Sequence, residues 1–365
     1  MKWSPQQDDA LKAVSAWLID PTAPQIFRLF GYAGTGKSTL ARHLAQSARS
    51  VCYAAFTGKA ALVMKKNGCH DASTIHSLIY NVGQKKSGER TYKLNKDSPA
   101  ATAELIVIDE VSMVGQDLAK DLLSFGTKIL VLGDPFQLPP VNGEGFFINA
   151  DPDVMLTEIH RQAAENPIVQ LSIDIREGKR LQIGNYGASR IISRSDLDRE
   201  EMLQCDQILC GKNLTRIQYN DRIRKIDGKP HREPVTGDRL ICLKNNKTKH
   251  IFNGQIATVE HVSEETIAGI KCQSMRVLPE DHRYPVKVDT PNQFFAGDEE
   301  NLDWRVRKKF DEYYFGYVIT VHKAQGSQWD NVFVFDESGV FRDSAQNHLY
   351  TAVTRAAEKI TVVVV

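Results

Sequence analysis

The segment of this 365-residue chain with the most specific chemistry runs from Gly31 to Ser38 and reads GYAGTGKS. It fits the pattern G-x-x-x-x-G-K-[ST], whose glycines let backbone N–H groups wrap phosphate oxygens where a helix begins. Lys37 adds a positive charge, and the Ser38 hydroxyl can ligate Mg²⁺. A glycine-rich turn without a ligand is the alternative. The pattern predicts that a nucleoside triphosphate binds at Gly34, Thr35, Gly36, Lys37, Ser38 and Thr39.

Two acidic residues follow an apolar run further along the chain. Residues 105–108 read LIVI, which is typical of a buried strand, and Asp109 and Glu110 come directly after it. Asp109 is a candidate to hold Mg²⁺ through water. Glu110 is a candidate to orient and deprotonate the attacking water, because that role needs a carboxylate near the γ-phosphate. The alternative is a helix with an acidic first turn.

A third polar cluster follows the apolar run at residues 129–132, where the sequence continues GDPFQLPP. The amide of Gln137 can contact both the γ-phosphate and the attacking water, so it could report hydrolysis to a neighbouring segment. A proline-rich turn with no chemical role is the alternative. All three clusters follow predicted strands, and the sites of parallel sheets lie at strand ends.

Two weaker signals concern polar residues that have an ordinary structural alternative. Thr57 and Lys59 follow a short strand-like run, and His76 ends the segment 73–76 before another predicted helix. These residues could bind a phosphodiester backbone, although helix caps are the alternative. Gln7 lies in the first turn of a helix predicted over residues 3–18. Its amide could present a donor and an acceptor to an adenine edge, and a surface glutamine is the alternative.

The elements that must position these residues form an α/β pattern. Strands alternate with helices up to about residue 150, and a second α/β region begins at residue 163 and closes at the C-terminus. Residues 238 to about 288 predict a small β-barrel, and residues 79–98 predict a β-hairpin, with a disordered loop as the alternative to the hairpin. Residues 290–307 show no period. The predicted domains are 1–78 with 99–150, 79–98, 151–237 with 312–365, and 238–311.

Composition sets few limits on function. Apolar residues make up 42% and charged residues 25% of the chain, and the net charge of +1 does not indicate a nucleic acid. The six cysteines form no C-x-x-C pair, so we expect reduced thiols and no zinc site. The N-terminus lacks an apolar signal core, and no run approaches the ~20 apolar residues that span a bilayer. A soluble, cytoplasmic protein is expected.

The polar clusters also resemble, in order, the motifs of a known family. The resemblance is to superfamily 1 helicases, and within them to the 1B branch of RecD-like and Dda-like 5′→3′ DNA helicases. The segments that look like motifs I to VI are GYAGTGKS at 31–38, DEVSM at 109–113, GDPFQ at 133–137, LTEIHRQ at 156–162, TVHKAQGS at 320–327 and YTAVTRA at 350–356.

This resemblance implies two RecA-like domains, with an SH3-like barrel inserted in the second. The hairpin predicted at residues 79–98, inserted in the first, is our candidate for a pin that separates the strands. The resemblance implies ATP and Mg²⁺ as cofactors, with Gln7 as the adenine reader and Gln137 as the γ-phosphate sensor. Arg161 and Arg355 become arginines that reach the γ-phosphate from the second motor domain. It assigns the phosphate, metal and water roles to Lys37, Ser38, Asp109 and Glu110. It places Thr57, His76, Thr320, His322 and Gln325 along the DNA. Lys59, Tyr80 and Tyr92 are further candidates for DNA contact, suggested by their positions in the sequence and not by the resemblance.

The implied activity is ATP-dependent movement along single-stranded DNA with unwinding of forked duplexes, by a monomer that needs no membrane. Replication, repair and recombination proteins are the expected further partners. An ATP-gated strand-binding or protein-displacing translocase that does not unwind is the alternative. A nucleotide kinase would need only the phosphate loop. A GTPase is disfavoured because residues 246–249, NKTK, lack the carboxylate of a guanine reader.

Overall fold

The structure is a computed structural model that describes residues 3–84, 90–140, 145–158, 166–246 and 248–364. The chain forms two compact units. The first comprises Met1–Val82, Tyr92–Asp206 and Gln325–Val365, and the second comprises Gly83–Thr91 and Gln207–Ala324. Residues 151–206 and 325–365, which the sequence assigns to a second domain, therefore lie in the same unit as the phosphate loop. The four-part division of the chain stays a prediction.

Strands and helices alternate along most of the chain. The strands are β1 (Ile26–Gly31), β2 (Val51–Ala55), β3 (Ser73–Thr74), β4 (Tyr80–Gln84), β5 (Arg90–Leu94), β6 (Leu105–Asp109), β7 (Lys128–Gly133), β8 (Val154–Leu156), β9 (Gly184–Tyr186), β10 (Ser189–Ser193), β11 (Gln207–Cys210), β12 (Arg239–Cys242), β13 (Ile256–Ile267), β14 (Ile270–Pro279), β15 (Val286–Pro291), β16 (Tyr313–Phe315), β17 (Val318–Thr320), β18 (Trp329–Asp336) and β19 (Ala356–Val364). The α-helices are α1 (Pro5–Ile19), α2 (Lys37–Leu44), α3 (Gly58–Lys66), α4 (Ile75–Ile79), α5 (Gln116–Leu123), α6 (Pro167–Arg176), α7 (Arg199–Gln204), α8 (Asn213–Ile226), α9 (Asn292–Ala296), α10 (Trp304–Arg307), α11 (Val321–Ala324) and α12 (Ala345–Val353). Short 3₁₀ segments are Pro99–Ala101, Val111–Met113, Arg194–Asp196, Glu299–Asn301 and Ser338–Ser344.

The first unit contains a six-stranded sheet in the order β3-β2-β6-β7-β1-β8, and every neighbouring pair is parallel. Its central strands are apolar on both faces. Val107 packs on the side of α1, α2 and α3, whereas Ile106 and Ile108 pack on the side of α4 and α5. Burial on both faces explains the uninterrupted run LIVI. The predicted α/β fold with a parallel sheet is confirmed.

The same unit contains a second group of strands. Strand β19 lies between β18 and β10 and is parallel to both, and β9 is antiparallel to β10. Helix α12 connects β18 to β19.

Strands β4 and β5, inside the predicted hairpin at residues 79–98, form a separate two-stranded sheet.

The second unit combines a parallel pair with an antiparallel sheet. Strands β11 and β17 are parallel neighbours. Strands β12 to β16 form a five-stranded antiparallel sheet in the order β15-β14-β13-β12-β16. The segment 290–307, which has no period in the sequence, contains the short helices α9 and α10. The description of this sheet as SH3-like stays a prediction.

The sequence predicts reduced thiols, no zinc site and no membrane-spanning segment. All six cysteines lie among the described residues, and none of them forms a disulfide there. Among the described residues, no three histidine, cysteine or acidic side chains are grouped so as to hold a metal ion. Within the same part of the chain, none of the helices has both the length and the apolar character needed to cross a membrane.

A buried ion pair fixes α8 to the loop before β12 in the second unit. The Arg224 guanidinium donates to both Asp238 carboxylate oxygens, at 3.1 and 3.0 Å, and both side chains are buried. Asp238 also accepts from the Tyr317 hydroxyl at 2.7 Å and from the Val235 N–H at 2.8 Å. The carboxylate is therefore satisfied on every side, as a buried charge must be.

We expect Asp238→Ala to lower the free energy of unfolding by about 3–5 kcal/mol, because it leaves the Arg224 charge buried without its partner. Urea denaturation followed by circular dichroism measures the change. Asp227→Ala removes a more exposed partner of Lys229 and should change stability by less than about 0.5 kcal/mol. Equal losses in the two variants would contradict this account.

Candidate functional site

The phosphate loop connects the end of β1 to the start of α2. Gly34 and Gly36 both have φ of +80°, a left-handed backbone that glycine adopts without strain. The Lys37 ammonium donates to the Tyr32 carbonyl at 2.9 Å and to the Gly31 carbonyl. The loop is thus closed around its own lysine, at a helix N-terminus where aligned peptide dipoles favour an anion.

The two acids lie at the carboxyl end of β6, next to this loop. The Ser38 hydroxyl donates to Asp109 Oδ2 at 2.8 Å, and the Glu110 N–H donates to Asp109 Oδ1 at 2.9 Å. Burial raises the pKa of Asp109, and the Ser38 hydrogen bond opposes that rise. Burial likewise raises the pKa of Glu110, and the nearby positive charge of Arg355 opposes it. Glu110 has φ of +55°, which is rare for a side-chain-bearing residue and is found mainly where function requires it.

Gln137 and Arg355 complete the ring of polar groups. Gln137 is 6% exposed, and its buried Oε1 accepts no hydrogen bond from the described part of the chain. Arg355 is also 6% exposed, and its guanidinium donates to the carbonyls of Thr351 and Ser327, each at 3.1 Å. These bonds hold the arginine with its charge close to Glu110. Arg161 lies outside the described residues.

All these groups line one cavity of about 390 Å³ within the first unit, a volume in the range of ligand pockets. Of the residues predicted for nucleotide or metal binding, the cavity brings together Gly34, Gly36, Lys37, Ser38, Thr39, Asp109, Glu110, Gln137 and Arg355. Sequence reasoning did not assign to this site the further lining residues Ala33, Ala60, Val63, Gly133, Asp134, Gly326, Ser327, Gln328 and Thr354. Most of these residues belong to motifs I, III, V and VI or directly follow one of them, and that position was the available signal; Ala60 and Val63 lie on α3, outside these motifs.

Gln7 lies behind the phosphate loop rather than on the cavity wall. It is buried, its amide donates to the Thr35 carbonyl at 3.1 Å, and its oxygen accepts from the Ser4 N–H at 3.1 Å. Together with Ser4 it forms a capping box at the start of α1. These contacts support the loop, and the adenine-reading role stays a prediction.

Tyr350 on α12 joins two parts of the site that sequence analysis treated separately. Its buried hydroxyl donates to Asp134 Oδ2 at 2.6 Å and accepts from the Ala33 N–H at 2.9 Å. Burial raises the pKa of this hydroxyl far above its usual range, so it stays protonated and remains a donor. The helix that leads to Arg355 is thereby fixed to the phosphate loop and to the loop of Gln137.

We expect Tyr350→Phe to lower the free energy of unfolding by about 1.5–3 kcal/mol, because it removes a hydrogen bond to a buried carboxylate. Urea denaturation measures this loss. The matched control is Tyr53→Phe, since the Tyr53 hydroxyl makes no hydrogen bond to the described chain, and it should change stability much less. If the two variants are equally stable, the hydroxyl of Tyr350 does not hold the site together.

Comparison with known proteins settles the family. A model described as an AAA domain matches residues 3–196, and one described as a UvrD-like helicase C-terminal domain matches residues 315–363. The ATP-dependent DNA helicase dda of Enterobacteria phage T4 is 34% identical to the chain, over 89% of this chain and 91% of its own length. The chain belongs to superfamily 1B of the DNA helicases.

Other relatives are less similar in sequence, and some are much longer than this chain. The ATP-dependent RecD2 DNA helicase of Deinococcus radiodurans is 28% identical over 91% of this chain, and the chain spans only 46% of that protein's length. The chain spans 31% of the probable conjugal transfer protein TraA of Sinorhizobium fredii, at 25% identity over 93% of this chain. A crystal structure of Pif1 helicase from Candida albicans matches with a TM-score of 0.58 at 19% identity, covering 100% of this chain and 94% of that one. That match shows a shared fold.

Three of the candidate residues for DNA contact form an aromatic cluster in the first unit. The His76 ring lies 5.8 Å from Tyr80 and 5.6 Å from Tyr92, measured between ring centroids, and Tyr92 is 49% exposed. The Tyr80 hydroxyl donates to Asp121. Burial lowers the pKa of His76, which favours a neutral ring at neutral pH. The cluster offers ring surface rather than charge.

The remaining candidate residues for DNA contact lie elsewhere in the two units, and several of them make contacts within the protein. Thr57 caps α3 through its hydroxyl, which accepts from the Ala60 N–H at 3.1 Å, as the alternative interpretation held. The Lys59 ammonium lies 4.5 Å from the Trp329 ring centroid. Gln325 is buried and donates to the Leu138 carbonyl at 2.9 Å. Thr320 and His322 belong to the second unit, where burial lowers the pKa of His322.

Gly326 allows the close approach of two segments in the first unit. A Cβ there would lie 2.8 Å from Thr57 Oγ1 and 3.3 Å from Ala60 Cβ, and the residue has φ of +74°. Any side chain would therefore be strained in its backbone and would collide with the start of α3. This glycine is the reason that residues 326–328 can reach the nucleotide cavity.

Proposed function

We propose that this chain is an ATP-dependent helicase that moves 5′→3′ along single-stranded DNA and unwinds duplex DNA. The observation that carries the proposal is the convergence of Lys37, Glu110, Gln137 and Arg355 on one cavity. A site that only binds a nucleotide needs the phosphate loop, whereas hydrolysis also needs a base and groups that offset charge in the transition state. The relatives dda and RecD2 are named as ATP-dependent DNA helicases.

The chemistry assigns one task to each group. Lys37 and the loop N–H groups bind the β- and γ-phosphates, and Glu110 orients the attacking water and takes its proton. We propose that Gln137 binds the γ-phosphate or the water through its side-chain amide, whose buried oxygen has no hydrogen-bond partner among the described residues. Arg355 offsets the charge that develops on the γ-phosphate. Arg161 is proposed as a second arginine of this kind.

Ser38 and Asp109 are the residues that would hold Mg²⁺. Their oxygens lie 2.8 Å apart beside the phosphate loop, and both are hard donors of the kind Mg²⁺ prefers, with phosphate and water oxygens completing the shell. Bound Mg²⁺ would neutralise phosphate charge.

For the DNA we propose that Thr57, Lys59, His76, Gln325, Thr320 and His322 contact a single strand, and that β4 and β5 act as a pin on which a base stacks through Tyr80 or Tyr92. Base stacking of this kind contributes ~1–3 kcal/mol. The predicted four-part division belongs to the same proposal, with RecA-like domains at 1–78 with 99–150 and at 151–237 with 312–365, the pin at 79–98 and an SH3-like insertion at 238–311.

A fork-unwinding assay tests the function directly. Duplexes with a 5′ or a 3′ single-stranded tail are mixed with the protein and ATP, or with a non-hydrolysable analogue. We expect unwinding only with ATP and only from the 5′ tail. ATP hydrolysis stimulated by DNA without any unwinding would instead support the translocase alternative, and hydrolysis that ignores DNA would contradict both.

The affinity for single-stranded DNA should fall with salt, since each phosphate contact contributes about −0.7 to the log-log slope. Fluorescence anisotropy of a labelled oligonucleotide, measured over a series of salt concentrations, gives this slope. An affinity that does not change with salt would exclude the proposed contacts with the DNA backbone.

A further inference from the structure

The second unit contains a cavity of about 550 Å³ that the proposed ATP cycle does not use. It lies at the carboxyl ends of the parallel strands β11 and β17, where α8 and α11 begin, because Asn213, Arg216, Ile319 and Lys323 line it. In α/β sheets, ligands bind at the carboxyl ends of the strands. The volume is ample for a nucleoside-sized group.

One part of the cavity is apolar and aromatic. Phe294 and Phe295 on α9 and Tyr314 on β16 line it, and all three side chains are buried. The Arg216 guanidinium carbon lies 4.7 Å from the Tyr314 ring centroid, and Arg216 Nε donates to Asn213 Oδ1 at 3.2 Å. The arginine is thus held between an aromatic ring and an amide, at the wall of the cavity. Such a guanidinium is a good surface on which a flat base can stack.

The charges of the cavity favour an anion that also carries hydrogen-bond donors. Among the described residues, Arg216, Arg232 and Lys323 form no ion pair with a carboxylate. Burial and the neighbouring Arg216 charge both lower the pKa of Lys323. A bound anion would offset the repulsion between these two cations and so would favour the charged form of Lys323. The acid Glu312 is neutralised by Arg307, at 2.7 Å. The remaining acids of the lining are Asp221, whose Oδ2 lies 4.0 Å from His231 Nε2, and Glu299. Their carboxylate oxygens can accept hydrogen bonds.

We propose that this cavity receives one nucleotide of the bound DNA strand. Its base stacks against Arg216 over Tyr314, its phosphate lies at Lys323 and Arg232, and an exocyclic amino group donates to Asp221 or Glu299. The inference rests on the proposed function, since it deepens the account of how the strand is held. Lys323 directly follows His322, a residue proposed to contact that strand.

The same cavity fits an acidic peptide less well. Asp221 and Glu299 would repel the carboxylates of such a peptide, whereas a nucleobase offers amino groups that these acids can accept from. The buried aromatic residues likewise match a flat ring. The mixture of unpaired basic groups, two acceptors and ring surface therefore favours a nucleotide.

Abasic scanning of a short oligonucleotide tests the proposal. One end carries a hairpin duplex that fixes the register of the strand, and one base at a time is removed. For the unmodified protein, we expect affinity to fall roughly 5- to 100-fold at one position of the strand, by loss of one stacked base. The Arg216→Ala variant should bind the intact oligonucleotide with the same loss of affinity. Removing that base should then lower the affinity of the variant no further, because the substitution and the base removal eliminate the same stacking interaction.

Arg222→Ala is the matched control, since Arg222 lies on the same helix, is exposed and does not line the cavity. It should keep the position-dependent profile of the unmodified protein, and circular dichroism should show that both variants are folded. The inference would be overturned if no position of the strand were sensitive to base removal. It would also be overturned if base removal lowered the affinity of Arg216→Ala by the same factor as that of the unmodified protein. Either result would leave the proposed helicase function intact. Arg216-dependent binding of an oligoglutamate peptide, with a flat abasic profile, would also overturn the inference. Failure of the unmodified protein to bind the oligonucleotide at all would instead contradict the proposed function.

Discussion

Arg355→Ala should lower the turnover number of ATP hydrolysis by roughly 10³–10⁵, with little change in the affinity for ATP. The guanidinium lies at the cavity wall, and in the proposed mechanism it acts on charge that develops at the γ-phosphate during the reaction. Its loss should then remove about 4–7 kcal/mol of transition-state stabilisation. Steady-state kinetics with saturating DNA gives the turnover number. A fluorescent, non-hydrolysable ATP analogue gives the affinity separately.

The variant also loses hydrogen bonds to the Thr351 and Ser327 carbonyls, so a purely structural role must be distinguished from a catalytic one. Circular dichroism and thermal unfolding show whether Arg355→Ala is folded at the assay temperature. Arg180→Ala, which removes an exposed arginine of the same unit, should leave turnover unchanged. A large loss of nucleotide affinity with unchanged turnover would show that Arg355 binds the ground state instead.

The central sheet and much of the nucleotide cavity could be predicted because the signals are local. Strands buried on both faces give uninterrupted apolar runs, and the polar groups that follow them lie together at one edge. Asp109, Glu110 and Gln137 each come within five residues of such a run, and Lys37 belongs to the phosphate-loop pattern; all four line the cavity. Arg355 could be placed only by its resemblance to motif VI.

The contacts that connect these groups could not be predicted, since their partners are far apart in the sequence. The Tyr350 hydroxyl meets Ala33 across 317 positions, and no periodicity in either segment indicates the pairing. The left-handed backbone of Glu110 is likewise a product of the surrounding fold. For Thr57 the sequence allows two roles, a helix cap and a contact with DNA. The structure shows the cap at the start of α3, and the DNA contact stays a prediction.

A second large effect is expected from the substitution Glu110→Gln. The amide keeps the size and hydrogen-bonding shape of the carboxylate but cannot take a proton from water. We expect turnover to fall by roughly 10²–10⁴, the contribution of a positioned general base, while ATP still binds. Rapid-quench kinetics in a single turnover isolates the chemical step. Glu104→Gln, an exposed acid just before the same strand β6, should hydrolyse ATP normally.

Combining Glu110→Gln with Arg355→Ala then asks whether the two groups serve one transition state. The Arg355 charge already opposes the rise in the pKa of Glu110, so the two side chains are electrostatically coupled. When two catalytic residues act together, the free-energy effects of substituting them on turnover are far from additive, because losing one residue leaves the other with less transition-state charge to stabilise. We therefore expect the double variant to turn over ATP at a rate close to that of the slower single variant. A loss equal to the product of the two single losses would mean that Glu110 and Arg355 act in separate steps, with the arginine controlling a conformational change rather than the chemistry.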